Sequence, residues 1–439
     1  MTFSAMPGLP SDVLVRGRAP QAMLSAHLNA CVRDGLVPVD VQIRDGRIAA
    51  LQAPDGKSQP DGVTVLDLQG GIILPGLVDC HTHLDKGQVA ARSQNADGSF
   101  AMALVAAAAD AARHGGIDDL VLRAEFQLRA AFAHGTVAVR SHVDAHPDRF
   151  DRRFDALLNL RAAWAGRVAV QLCPFSGQDA SPHWIAHLAG RAGQGGGALS
   201  LFVQDGPDLD PFLDLAVEMA GRHGLDLDFH ADETTDPASN ATARIVAAVA
   251  RTGFDRQVTV GHGVALAGHA PDNLARTLDA MARAGVALVA LPQCNAHLMG
   301  RRPGRTPRLR GLAPVHEARA AGVRVALATD NSRDPFHAYG DLDMVELFRD
   351  AIRFGQMDQP VGDWPAAIGP LPAAIMGLPS GTGCIAAGGP ADLILLSARN
   401  WSEFGARPAT GRIVLRAGQP IDTTLPDWRD LDALDGMDP

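Results

Sequence analysis

Between residues 11 and 75 short apolar runs alternate with polar positions, as in VPVDVQIRDGRIAALQ and VTVLDLQGGIILPG. A period of two predicts half-buried strands. Asp45-Gly46, set between two such runs, predicts a two-residue hairpin turn. The same pattern returns in ADLILLSA and GRIVLRAGQPI near the other end. The two ends are therefore expected to form one small β-sandwich, from residues 1–75 and 383–439. Between them, helical stretches such as AMALVAAAADAARHG and VLRAEFQLRAAFAHG alternate with the β-branched runs TVAVRSHVD, RVAVQLCPF, LDLDFHADE, VTVGHG, VALVALP and VRVALATDN. Strands separated by helices of roughly ten or more residues make parallel β/α units. The expected fold is α/β: a (β/α)8 TIM-like barrel over residues 76–382. The Ala101–Ala112 stretch is a strong helix former placed against that barrel.

The remaining bulk properties narrow the field. Apolar residues make up 46% and charged residues 20%, so a large buried core is affordable and disorder is not indicated. A net charge of −10 argues against a nucleic-acid polymer as partner. The local exception is Arg301, Arg302, Arg305, Arg308 and Arg310, which lie among prolines and glycine and form a solvated loop or an edge of the active site. No signal-like apolar segment opens the chain, and no uncharged apolar window of about 18 residues follows, so neither a membrane nor an export route is expected and the location is cytoplasmic. Cys31, Cys80, Cys173, Cys294 and Cys384 lack paired spacing and are odd in number, so neither a disulfide framework nor a cysteine metal site is suggested.

Chemistry-bearing residues cluster at strand ends, which in a barrel is the face where active sites are built. In HTH, His81 and His83 stand at i and i+2 of a strand and point to one side, a geometry suited to a shared cation. His230 ends the strand in FHADE, with Glu233 three residues on. His262 closes VTVGH and Asp330 closes VALATD. Buried imidazoles and carboxylates need partners, so several of them at one end of one barrel imply a metal. Three neutral imidazoles and a carboxylate suit zinc or iron and leave a position for water, whose pKa the cation lowers towards neutrality. No lysine ends a middle strand to bridge a second ion, so one divalent metal is expected.

HxH, HADE, GHG and TDN in this order resemble the amidohydrolase superfamily, and HTHLDK resembles its cytosine deaminase branch and the related N-substituted ammelide aminohydrolases. The likeness runs over nearly the whole chain, with support from GTVAVRSHVD, NAHLMGR, DNSRDPFHAYGDLDMV and GTGCIAAGGPADLILL. The resemblance implies His81, His83, His230 and Asp330 as ligands of one zinc or iron ion. It implies Glu233 as the acid serving a ring nitrogen, His262 as the group orienting water, and Asp330 as a proton carrier to the leaving group. Two departures stand out. Phe175 occupies the position where cytosine deaminases carry a substrate-binding glutamine, with Gln178 as a possible substitute, and Asn331 stands where they carry a second aspartate.

The implied activity is hydrolytic deamination of a small amino-substituted nitrogen heterocycle, such as cytosine, 5-methylcytosine or a similar pyrimidine, with ammonia released. The alternatives are removal of an alkylamine from an N-alkylammelide-type triazine, and opening of a cyclic amide. Partners are then a heterocyclic small molecule, water and further copies of the chain in a homo-oligomer. Lys86 and His142 are candidate substrate contacts, each with a structural alternative: an ion pair for Lys86 and a supporting or core position for His142. Asn295, His297, Asp334 and His337 are expected near the pocket, and Trp164 and Trp184 in packing.

Overall fold

Asp45 and Gly46 both adopt left-handed backbone, φ 49° and 78°, which is the two-residue turn their order predicts. The computed structural model describes residues 8–54, 63–408 and 411–432. Its strands, in chain order, are β1 (Asp12–Pro20), β2 (Leu36–Arg44), β3 (Arg47–Gln52), β4 (Thr64–Pro75), β5 (Leu77–Thr82), β6 (Thr136–Asp144), β7 (Ala169–Gly177), β8 (Leu199–Phe202), β9 (Leu227–Ala231), β10 (Val258–His262), β11 (Ala287–Ala290), β12 (Val325–Leu327), β13 (Leu393–Leu395), β14 (Ile413–Arg416) and β15 (Gln419–Pro420).

The chain divides into two compact units. One holds the residues up to Val78, Arg129–Val137 and Asp343–Leu425; the other holds Asp79–Leu128, Ala138–Leu342 and the residues from Pro426. In the first, strands from both chain ends make one seven-stranded sheet in the order β15-β14-β13-β4-β1-β2-β3. Val13, Val15, Val39, Val41 and Ile43 share a core with Ile73, Leu393, Leu395 and Leu415. The sheet folds over on itself: Ile48 N donates to Gly389 O at 3.0 Å, and Ala391 N to Gly46 O at 2.9 Å. Residues 1–7 and 433–439, the outermost parts of the expected sandwich, lie outside the described residues.

Strands β5 to β12 form the second sheet, in sequential order. The pairings resolved within it are parallel, β6 to β7 through β11 to β12. It closes where Asp330 N donates to His81 O at 2.9 Å and Thr82 bridges Asp330 in parallel. Asp79 locks the seam, accepting from Thr329 N at 3.2 Å and from the Thr329 hydroxyl. Every residue of β5, β9, β10 and β11 is buried, as expected of parallel strands covered on both faces. Between strands run helices such as Leu209–His223, whose buried Leu209, Phe212, Leu213, Ala216, Val217 and Ala220 trace one helical stripe. The expected (β/α)8 barrel is present. Among the described residues no helix is long and apolar enough to cross a membrane.

Candidate metal centre and active site

The C-terminal ends of the barrel strands bring His81, His83, His230, His262 and Asp330 together, all at most 3% exposed. His83 Nε2 lies 3.3 Å and His81 Nε2 3.6 Å from Asp330 Oδ1, and His230 Nε2 is 3.4 Å from His83 Nε2. A proton shared between the paired nitrogens, or a cation between them, would relieve this close approach. Both Asp330 oxygens, both His81 nitrogens and the remaining nitrogens of His83 and His230 are buried without a hydrogen-bond partner. Burial lowers the pKa of all three histidines well below 6.5, aided by neighbouring rings and Lys86, so they are neutral and fit to bind metal. Burial also raises Asp330 to about 7. A divalent cation would satisfy this donor set, three imidazoles and one carboxylate.

Two backbone features put the clustered side chains in place. His262 and Asp330 hold left-handed backbone, φ 69° and 67°, a conformation costing roughly 1–2 kcal/mol for a residue with a Cβ. Gly261 lies flat against the His81 ring: a Cβ there would meet His81 Cε1 at 2.9 Å and Nδ1 at 3.2 Å. The register pairs Gly261 with His230, so the bare backbone of β10 makes room for the His81 ring.

Beside the cluster, Glu233 Oε1 lies 3.4 Å from His262 Nδ1. Burial, with the Asp330 charge, raises the Glu233 carboxyl well above 4.5, which favours its protonated form. His262 is lowered to about 3 by burial and then by Lys86. Glu233, His262, His83, His230 and Asp330 all border a cavity of about 780 Å³. Its walls include Phe175, Phe100, Phe202, Phe336 and Trp184. Phe175 packs 4.3 Å from the His230 ring, centroid to centroid, and Phe100 stacks on Phe202 at 6.2 Å. The aromatic walls carried no local signal, because Phe100 starts a helix while Phe202 and Phe336 belong to separate β/α units. Trp184, expected only to pack, borders the cavity.

Lys86 makes the ion pair expected of it and also borders the cavity. Its Nζ pairs with Asp144 at 3.2 Å and lies 5.4 and 5.2 Å from the Phe175 and Phe336 ring centroids, at the cavity wall. Burial opposes its charge, but Asp144, Asp85 and Asp334 outweigh this and raise its pKa, so it stays cationic. Of 39 basic residues only Lys57 and Lys86 are lysines, so this wall carries a compact ammonium in a chain that otherwise uses arginine. Asn331 also borders the cavity, but its amide donates to Asp334 Oδ2 at 2.6 Å.

Two candidate contacts are corrected. His142 does not border the cavity: β6 sets its ring 4.2 Å from His81 and 4.6 Å from His230, with Nδ1 2.7 Å from Ser200 Oγ, so it packs against those two rings. Gln178 does not replace the glutamine missing at Phe175. The chain turns after Gly177, and the Gln178 carboxamide accepts Gln204 N–H at 2.8 Å. His297 and His337 pack on each other, ring centroids 5.3 Å apart, and stay off the cavity wall.

A model described as the amidohydrolase family matches residues 127–422. Over 437 residues the chain is 43% identical to a pterin deaminase of Rhizobium rhizogenes, covering 99% of each protein. The chain belongs to the amidohydrolase family. Its fold matches 5-methylcytosine deaminase of Klebsiella pneumoniae liganded with 5-fluorocytosine (22% identical, TM-score 0.79, covering 93% of this chain and 97% of that one). It also matches N-isopropylammelide isopropylaminohydrolase of Burkholderia multivorans (25% identical, TM-score 0.73, covering 94% and 98%). As an amidohydrolase the protein is a hydrolase acting on carbon–nitrogen bonds, and its family is metal-dependent.

Proposed function

We propose that this amidohydrolase hydrolytically deaminates a fused amino-oxo heterocycle of the pterin type and releases ammonia. The observation that carries the choice is the cavity. About 780 Å³ walled by five aromatic side chains falls in the range of pockets for drug-sized ligands and is generous for a lone pyrimidine. The 43% identity to a pterin deaminase over nearly the full chain supports the same choice. Phe175, at the position where cytosine deaminases carry a pyrimidine-binding glutamine, offers a flat ring to a larger aromatic substrate.

In this proposal His81, His83, His230 and Asp330 hold one zinc or iron ion. When bound, the ion supplies Lewis acidity and makes water at the site easier to deprotonate. The side chains do the rest. Glu233 meets the substrate as a neutral acid and gives its proton to the ring nitrogen beside the amino-bearing carbon, as that carbon becomes tetrahedral. His262 orients the attacking oxygen. Asp330 accepts a proton from it and passes it to the departing amine. Lys86 is placed to donate to the oxo group of the substrate ring, and Phe175 to stack on its face. The proposal keeps residues 76–382 as the catalytic body, with 1–75 and 383–439 as its companion, in a cytoplasmic homo-oligomer.

The test is ammonia release by the metal-loaded enzyme from pterin, isocytosine, cytosine and 5-methylcytosine, with alkylamine release from N-isopropylammelide measured in parallel. Pterin turned over at least tenfold faster, in kcat/KM, than any single-ring compound supports the proposal. Preference for cytosine or 5-methylcytosine would restore the pyrimidine expectation, and alkylamine alone the triazine one. Hydrolysis of a cyclic amide without release of either amine would replace deamination with ring opening.

A further inference from the structure

Asn295 was expected only to approach the pocket, yet the short helix Pro292–Leu298 after β11 delivers its carboxamide to His262. The side chain is 1% exposed, and its Nδ2 lies 3.0 Å from His262 Nδ1. The opposite nitrogen of the ring, Nε2, is buried with no partner. One His262 nitrogen comes within 4.8 Å of a His81 nitrogen and an Asp330 oxygen, so the ring is near enough to the cluster to be drawn in as a further ligand. Two outcomes compete at this ring. With Nε2 unprotonated it presents a lone pair to a cation; with Nε2 protonated it cannot ligate through that atom and is a hydrogen-bond donor.

We propose that Asn295 is a positioning residue that fixes His262 as the Nε2–H tautomer, keeping it out of the metal's ligand set and available to donate to the reacting oxygen. The amide N–H donates to Nδ1, and a nitrogen that accepts a hydrogen bond carries no proton, so the ring's one proton sits on Nε2. Glu233 Oε1 faces the same Nδ1 at 3.4 Å, and burial shifts its carboxyl towards the protonated form that can donate there. The position of Asn295 is set by packing rather than by the site: Cys294, Leu298 and Met299 of the same segment join Ala103, Val264 and Phe336 in one apolar cluster. The tautomer of a reacting histidine is thus set by a residue that touches neither substrate nor metal.

The inference rests on the assignment of His262 to the water-orienting role, and its test needs no substrate. Full-length protein labelled with ¹⁵N-histidine is recorded metal-free after chelation and again zinc-loaded, with His262 assigned by its loss in His262→Gln. The expected spectrum shows Nε2 protonated and Nδ1 not, in both states. Asn295→Asp replaces the donor by an acceptor, moves the proton to Nδ1, and lowers kcat roughly 10–100-fold with KM within about twofold. Asn295→Gln, which retains the amide, restores part of both. A wild-type His262 protonated on Nδ1 overturns the inference, and so does an Asn295→Asp protein with unaltered tautomer and kcat. Should Asn295→Asp fail to fold, the wild-type spectrum decides alone. Failure of pterin turnover would leave the tautomer result standing.

Discussion

Gly261→Ala adds one methyl group beside the proposed metal ligand His81. Gly261 does not sit in left-handed backbone, so alanine meets no conformational penalty and the effect is steric. The new carbon would stand 2.9 Å from His81 Cε1, against an ordinary carbon–carbon separation of about 3.5–4.0 Å. Retreat on the other side is limited, because Phe229 O lies 3.4 Å from the same point. The ring must therefore yield by roughly half an ångström, more than the roughly 0.2 Å by which metal–ligand distances vary. Zinc affinity is expected to fall about 10–100-fold, or roughly 1.4–2.7 kcal/mol. Competition with a chromophoric chelator measures this directly, and a thermal melt of the metal-free protein separates it from general destabilisation. In a His81→Ala background the same methyl should change zinc affinity less than twofold, since the group it displaces is gone. Wild-type zinc affinity in Gly261→Ala, or an equal loss with and without His81, would refute His81 as a ligand held in place by this contact.

Three further outcomes follow from the same geometry. Glu233→Gln should retain stoichiometric metal and lose roughly 10²–10⁴-fold in kcat, because an amide cannot deliver the proton; metal analysis and steady-state rates check both halves, and surviving turnover would mean a different acid. Phe175→Ala should raise KM for a bicyclic substrate about 3–10-fold while leaving kcat for a single-ring substrate nearly unchanged, as expected of a stacking wall worth about 0.5–1.5 kcal/mol. In the sheet unit, burial pushes the Asp343 carboxyl up, but His134 and Arg412 outweigh it and hold the pKa at about 2, below the ordinary 3.8. The folded pKa is the lower one, so this stabilisation is present above about pH 4 and fades as pH falls towards 2. Asp343→Asn should therefore lose roughly 2 kcal/mol at pH 7 in denaturant melts, with the gap to wild type closing in acid; a gap that widens there would contradict the ion pair.

What could be read along the chain was whatever has a local signature. Alternation in residues 37–52 announced a hairpin, and its turn residues named the turn. The clustered strand-end residues were legible because strand periodicity places i and i+2 on one side and parallel strands end on one face, so HTH, FHA, GHG and ATD needed no tertiary information to be grouped. The cavity was not legible. Phe100, Phe202, Phe336 and Trp184 come from four different segments, and an aromatic at a helix start or strand end looks like core until the barrel brings the segments together. Gln178 was carried as a substrate contact because it lies three residues from the relevant position, yet a turn after Gly177 rotates it towards Gln204. His142 was left between two readings for a related reason: a histidine on a barrel strand faces either the cavity or its neighbours, and only the packing against His81, His230 and Ser200 decides which. Asn295 was noticed, but its use depends on a helix orientation that no spacing rule encodes.

The left-handed backbone at His262 and Asp330 also bears on how this protein can be engineered or can drift. At both positions glycine would be the easier residue for the backbone, by roughly 1–2 kcal/mol each, so the two substitutions that most relax the strand ends are also two that dismantle the site. A screen for heat resistance that ignores activity would be rewarded for erasing the enzyme. In a lineage released from selection for catalysis, these two codons are where decay would first look like improvement.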